Sequence, residues 1–249
     1  MKFTWNGISS DTLGMIVEKY PSRQFPQRKC TVYSVAGRSG DLIVDENAYT
    51  NVTQEYKVFV KGDSTLQTKL STIAAWLIGT PGYQRLTDDY DTSIYRLARV
   101  SNAVEFLNSL NKFGRATLQF DCKPQRYPVV DEVWTHAVDE DGYTFTYPNA
   151  GLLPAYPLIE ITGKSASAIP EIVTPTLTIH IGAPDAISKI VIDFSTQAIY
   201  NAANNQRPLY TSAVGTWEKL GDGDTIYAEE EAGTLQGITV KVTTRRFGI

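Results

Sequence analysis

From Arg115 to Cys122 the chain alternates without a break. Ala116, Leu118, Phe120 and Cys122 fall on one side, and Arg115, Thr117, Gln119 and Asp121 on the other. A period of two over that length is the mark of a strand with one face buried, because a helix would scatter the same residues around its axis. Lys123, Pro124, Gln125 and Arg126 are expected to end it, since proline cannot donate to a central ladder. The fold must therefore be built on half-buried sheet. Fourteen Tyr against two Met, with Gly and Pro breaking up most of the chain, extend that expectation to many short strands joined by turns.

The rest of the first half fits this frame. A strand over Lys2–Trp5 is followed by Asn6-Gly7, a hairpin signal. Met15, Ile16 and Val17 make a short apolar run. Residues Pro21 to Lys29 lack periodicity and carry two prolines, which suits a loop or a sheet edge. Cys30 to Val35 alternates, AGRSGD turns, Leu42 to Val44 is a short strand and Glu55 to Gly62 a clearer one. One helix is expected. Ser64 is its N-cap, and Leu66, Leu70, Ile73 and Leu77 form its stripe, widened by Ala74, Ala75 and Trp76. Gly79 ends it. After the turn GTPGY comes an acidic aromatic loop with Asp88, Asp89, Tyr90, Asp91 and Tyr95. In YRLARVSNAVEF the expected buried positions are Leu97, Val100, Val104 and Phe106, and a second turn centres on Asn111 and Gly114.

Near Pro128 to Val130 the character changes. Asp131 to Asp141 is acidic and weakly patterned, and the domain boundary is placed here, giving domains 1–130 and 131–249. Beyond it, Leu158–Ile161, the alternation of Leu177, Ile179 and Ile181, and that of Ile190, Ile192 and Phe194 read as strands. Turns fall at Asn204-Asn205 and at Gly221-Asp222-Gly223, and Ile238, Val240 and Val242 share one face of a last strand. Seven or more short strands without a helix pattern predict a β-sandwich.

Composition removes several functions. A net charge of −4 and a sequence pI near 5.3 make a poor nucleic-acid binder, which needs basic surface. No run of 18 apolar residues is present, so no membrane span is expected, and MKFTWNGISSD lacks the apolar core of a secretory signal. Cys30 and Cys122 form no CxxC pair, and a disulfide between them is not expected. His136 and His180 stand far apart with no GxSxG elbow, so no triad is expected. Glu160 with Asp193 is one of many carboxylate pairs that a glycosidase could use, but nothing singles it out, and both are expected to face solvent. GDGD at Gly221–Asp224 has no following helix to make a phosphate cradle, and EEEAG at Glu229–Gly233 reads as a solvated turn. No cofactor and no enzymatic activity are expected.

An ordered series of segments carries a family resemblance. FTWNGISSDTLGMIV, then VAGRSGDLIVDENAYTNVTQEYKV, then PGY, DDYD, YRLARVSN and FGRATLQFDCKPQRY together resemble the N-terminal domain of siphophage distal tail proteins. The likeness covers about the first half well and the second loosely. It implies a tail-tube-like β domain braced by one helix, then a galectin-like or carbohydrate-module-like sandwich, in a family whose last strand (here about 238–249) can return to the first domain. It implies a structural hub of the tail tip or baseplate, a homohexameric ring around a DNA channel. Whether there is one ring or two back to back is left open. The partners implied are the major tail tube protein, the tape measure protein, a tail-associated lysin or fibre protein and a receptor-binding protein. The implied location is the virion tail tip, with assembly in the host cytoplasm.

Two sets of residues are singled out. Asp88, Asp89 and Asp91 match no standard calcium loop, so a solvated or inter-subunit acidic loop is the better reading. The resemblance makes a ring contact there, with Arg96 and Arg99 as partners across the subunit boundary. In the second half, Trp134, Tyr210, Trp217 and Tyr227 could stack on a sugar, which keeps host-surface carbohydrate binding as the alternative function. A core or interface role is the commoner fate of such residues.

Overall fold

The structure is a computed structural model. It describes residues 1–109, 112–138, 143–147, 153–164, 170–182, 186–202, 207–208, 212–230 and 238–244. Every statement of number or absence below refers to these residues. The chain divides into two compact units, Met1–Val129 and Val130–Gly248.

In chain order the first unit holds β1 (Phe3–Trp5), β2 (Ile8–Ser9), β3 (Met15–Val17), β4 (Arg28–Tyr33), β5 (Leu42–Tyr49), β6 (Val52–Lys61), helix α1 (Leu66–Gly79), β7 (Gln84–Asp88), β8 (Ile94–Val100), β9 (Leu107–Ser109) and β10 (Phe113–Pro128). Eight of the strands make one antiparallel sheet in the order β2-β1-β7-β8-β10-β6-β3, with β9 added beside β10. β1 and β2 are joined through Asn6 and Gly7, both at positive φ (51° and 76°), the geometry that favours Asn-Gly in a tight hairpin.

The inner face of this sheet carries aromatic rings from distant parts of the chain. Phe3 stacks on Tyr56 at 4.6 Å between centroids, and Phe120 meets Phe3, Trp5 and Tyr56 edge-on. The Trp5 indole N–H donates to the Ala98 carbonyl at 3.0 Å, so the polar end of this buried ring is satisfied. Helix α1 closes the core with Leu66, Ile73, Trp76 and Leu77, and Trp76 meets Trp5 edge-on at 5.6 Å.

The helix ends differ from expectation. The N-cap position is Thr65, not Ser64, and Asp63 supports it by accepting from the Thr65 N–H at 2.8 Å. Gly79 is the last helical residue, and the extended Thr80 follows it. The Thr80 hydroxyl donates to the Trp76 carbonyl at 3.0 Å, which satisfies a terminal acceptor without a left-handed glycine.

Two further corrections concern the sheet. Pro124 does not end β10. The pairing with β8 shifts register between Cys122 and Arg126, and this irregularity absorbs the missing N–H while the strand runs on to Pro128. In β8 the inward residues are Arg96 and Ala98, so Leu97 lies on the opposite face from its expected burial. Val100, Val104 and Phe106 do pack against the core.

The second unit holds β11 (Glu132–Val138), β12 (Tyr143–Thr146), β13 (Leu158–Lys164), β14 (Pro170–Val173), β15 (Leu177–His180), β16 (Ile187–Asp193), β17 (Ala198–Asn201), β18 (Arg207–Pro208), β19 (Ser212–Gly215), β20 (Thr225–Glu230) and β21 (Ile238–Thr244). They form a six-stranded sheet, β11-β21-β13-β16-β17-β18, and a five-stranded sheet, β12-β20-β14-β15-β19. Ile159, Ile161, Ile190, Ile192 and Val240 from the first share one core with Phe145, Ile172, Ile179 and Ile226 from the second, which makes the unit a sandwich. The last described strand, β21, lies in the six-stranded sheet of this unit. β21 pairs with β11 along its whole length and with β13 from Thr239 to Thr243, and its inward Ile238, Val240 and Val242 complete this core. Residues 245–249 lie outside the described residues, as do the Asn111 and Asn204-Asn205 turns. No helix is long and apolar enough to cross a membrane.

Candidate functional site

The turn between β7 and β8 is shaped by its own carboxylates. Asp88 Oδ1 accepts from the N–H groups of Tyr90 and Asp91, at 3.1 and 3.2 Å, and Oδ2 accepts from the Tyr56 hydroxyl at 2.8 Å. Burial, together with the Asp88 charge, pushes the Tyr56 phenol well above its ordinary value, so it stays a neutral donor. Asp89 lies 3.8 Å from the N-terminal amine. Asp91 accepts from the Ser93 N–H and hydroxyl and faces Arg23 at 3.7 Å, and Arg23 in turn lies over the Tyr90 ring. The three carboxylates thus brace a turn. They do not converge, and no group of three or more His, Cys, Asp or Glu side chains is placed to hold a metal ion.

The two arginines of the candidate ring contact lie on opposite faces of β8. Arg99 is exposed, and its Nε donates to Asp121 at 2.9 Å. Asp121 also accepts from Asn51 and Tyr83. Burial raises the Asp121 carboxyl, but these bonds outweigh it and hold the group below its usual range. Arg96, which the sequence suggested was exposed, is only 8% exposed. Strand parity is the reason: Arg96 shares its face with Ala98. Arg99 already has its carboxylate partner within its own chain.

Outside the large sheet, β4 and β5 pair only with each other. Val32 is opposite Ile43 on one face of this ribbon. Tyr33 is opposite Leu42, and Thr31 opposite Val44, on the other. Val32, Tyr33, Leu42, Ile43 and Val44 are all exposed, Ile43 at 64%. The ribbon is pinned by a 2.5 Å ion pair from Arg28 to Asp45 and by the Thr31 hydroxyl donating to Glu46 at 2.8 Å. The alternation of Cys30 to Val35 and the short run Leu42 to Val44 predict strands but not that they stand apart from the main sheet. The available signal was apolar residues on both alternating faces, in CTVYSV and in LIV.

The aromatic residues singled out for sugar stacking are scattered. Trp134 is on the same side of β11 as the buried Val138. Tyr227 alternates with buried Ile226 and Ala228, so it is on the outer side of the other sheet. Trp217 packs edge-on against Phe194 at 5.1 Å in the core. Tyr210 lies outside the described residues. Glu160 and Asp193 are both buried rather than solvated. Lys189 and Lys241 flank the Glu160 carboxylate, the latter at 2.6 Å.

No family model matches the sequence, and no curated protein sequence matches it significantly. Among solved structures, the chain superposes on SPP1 Dit (gp 19.1), described as a paradigm of the hub adsorption apparatus in phages infecting Gram-positive bacteria. The TM-score is 0.74, covering 97% of this chain and 97% of that one, at 17% identity. The chain has the Dit fold. The resemblance seen in the first half of the sequence thus extends, as a fold, over the second half too. The chain also aligns with the phage P2 baseplate in its activated conformation with Ca, at a TM-score of 0.43 and 9% identity, over 94% of this chain and 90% of that one.

Proposed function

We propose that this chain is a structural subunit of a phage tail tip or baseplate, and that it assembles with copies of itself into a ring through the β4–β5 ribbon. Two lines support the reading: the Dit fold over nearly the whole chain, and the exposed ribbon, which is the observation that carries ring assembly. A lone two-stranded ribbon is marginal in water, and contiguous exposed apolar side chains of this kind mark contact surfaces. A ribbon on one subunit that seats against a different patch of the next is a heterologous contact, which closes into a ring when the rotation is right.

In this reading the ring continues the tail tube and surrounds a channel for DNA and the tape measure protein. It joins a lysin or fibre protein below, and the second unit meets receptor-binding proteins outside. Asp89 and Arg99 keep exposed charge and remain candidates for the ring contact beside the ribbon. The role is structural and calls for no catalytic group.

Light scattering after size exclusion, with negative-stain images of the same peak, tests this. The expected result is a ring of six subunits with a central hole. The double variant Val32→Asp, Ile43→Asp is expected to run as a folded monomer with unchanged far-ultraviolet circular dichroism. A wild-type chain that stays monomeric at all concentrations, or a ring unaffected by the double variant, removes the ribbon from the assembly.

A further inference from the structure

Beneath the β7–β8 turn, two arginines stand directly opposite each other. Arg96 of β8 pairs in register with Arg126 of β10, just past the register shift. Directly opposed residues have Cβ atoms about 5 Å apart, and like charges there are destabilising. Neither arginine forms a close ion pair, although Asp88 lies near enough to attract Arg96, and Asp91 to attract Arg126. Arg96 Nη2 donates only to the Gln24 carbonyl at 3.4 Å, while Arg96 Nη1 and Arg126 Nε are buried without any hydrogen-bond partner. Arg126 also lies over the Phe25 ring, and Arg23 stands close enough to both to add to their mutual repulsion.

The nearest carboxylates are committed elsewhere. Asp88 is taken up by Tyr56 and two backbone N–H groups, and Asp91 by Ser93 and Arg23. All five charged groups line one pocket of about 50 Å³, open to solvent on one side, with Tyr56 and Tyr95 among its walls. Three positive charges there face two negative ones. A guanidinium does not escape burial by losing its proton, so the excess charge and the two unmet N–H donors persist in the isolated chain.

We propose that this pocket is a binding site for a small oxyanion, carboxylate or phosphate, held between the guanidinium groups of Arg96 and Arg126. A planar guanidinium matches the two oxygens of such an anion, and one anion bridging both arginines would convert their repulsion into a shared attraction. Arg23, at the rim, guides the anion in. The uncoiled segment around Gln24 and Phe25 covers the two inner arginines and must give way slightly for the unmet N–H groups to be reached. The oxyanion has two sources: a free ion, or an acidic side chain of a neighbouring copy of this chain.

The test uses the full chain and thermal unfolding, titrated with inorganic phosphate and separately with acetate, against sodium chloride at equal ionic strength. Wild type is expected to show a saturable rise in Tm of about 3 °C or more at tenfold excess over Kd. Arg126→Gln is expected to need at least about tenfold more anion for the same rise, the loss of one charge-assisted bond. Arg96→Gln is the direct variant but is buried and could fail to fold, so Arg126→Gln carries the test. A response seen in dilute monomer but absent from assembled protein assigns the pocket to a neighbour's carboxylate. A response equal in both assigns it to a free ion. No rise beyond chloride, or a rise unchanged by Arg126→Gln, overturns the site whatever the fate of the ring.

Discussion

β6 with β10 and β4 with β5 are both antiparallel pairs in the same unit, and both are rich in Val, Tyr and Phe or Ile. They end in opposite environments. β6 puts Val52, Tyr56, Val58 and Val60 into the core, facing Leu118 and Phe120 of β10. β4 and β5 leave Val32, Tyr33, Leu42, Ile43 and Val44 in water. The difference lies in what covers each pair. The first has neighbours on both edges and helix α1 over its face, whereas the second has only its partner strand. Alternation thus identifies a strand, and an uncovered strand identifies where another molecule is needed.

The two cysteines report this contrast most sharply, because Cys30 belongs to β4 and Cys122 to β10. Cys30 is exposed, while burial pushes the Cys122 thiol up to about 12. A thiol reagent at neutral pH is expected to label Cys30 rapidly and Cys122 at least about 1,000-fold more slowly, since Cys122 waits for the unit to open. Equal rates would show the β6–β10 core to be loose. Protection of Cys30 in the ring, relative to the dilute monomer, would place the ribbon in the subunit contact.

Phe120→Ala comes next. It empties a site where four rings meet and is expected to cost about 3–5 kcal/mol in urea unfolding of the first unit. A cost below about 1 kcal/mol would mean that the aromatic cluster does not hold the sheet.

The second unit offers a smaller effect, on an outward side chain that is nonetheless covered. Burial raises the Glu160 carboxyl, and hydrogen bonds from Lys189 and Lys241 overcome this and hold it below its usual value. A depressed carboxyl stabilises the fold above its unfolded value, about 4.3, and loses that contribution as pH falls through the folded value. Glu160→Gln is expected to cost on the order of 1 kcal/mol at pH 7, with water screening the two half-exposed lysines. The gap to wild type should close as pH drops below about 4. A gap that stays constant down to pH 3 would assign the cost to packing.

The smallest stability effect belongs to Ile43→Ala in the exposed ribbon. The monomer should change by no more than about 0.5 kcal/mol, although its assembly weakens. A loss as large as that of Phe120→Ala would mean that the ribbon face is buried within the chain.

Much of the fold was legible in residues taken singly. The period of two placed Ala116 to Cys122, Leu177 to Ile181 and Ile190 to Phe194 with their inward faces correct, and the stripe from Leu66 to Leu77 placed the one helix. These signals are local, because side-chain direction follows backbone parity. The candidate site was less legible. Leu97 looked buried because it is apolar and Arg96 exposed because it is charged, yet parity with Ala98 decided otherwise. Pro124 looked like a stop, but extra residues in β10 itself, between Cys122 and Arg126, shift its register against β8 and make room for it.

What the sequence by itself determined is the inventory: many strands, one helix, two sets of inward residues and a Dit-like order of segments. The tertiary structure alone decided which strands have neighbours, and so which alternating face meets solvent. It also set Arg96 opposite Arg126 across thirty residues of chain. Both outcomes depend on pairings distant in sequence. A residue's own chemistry cannot tell what will lie across from it, and across-strand neighbours, more than composition, determine whether a charge is balanced or an apolar face is covered.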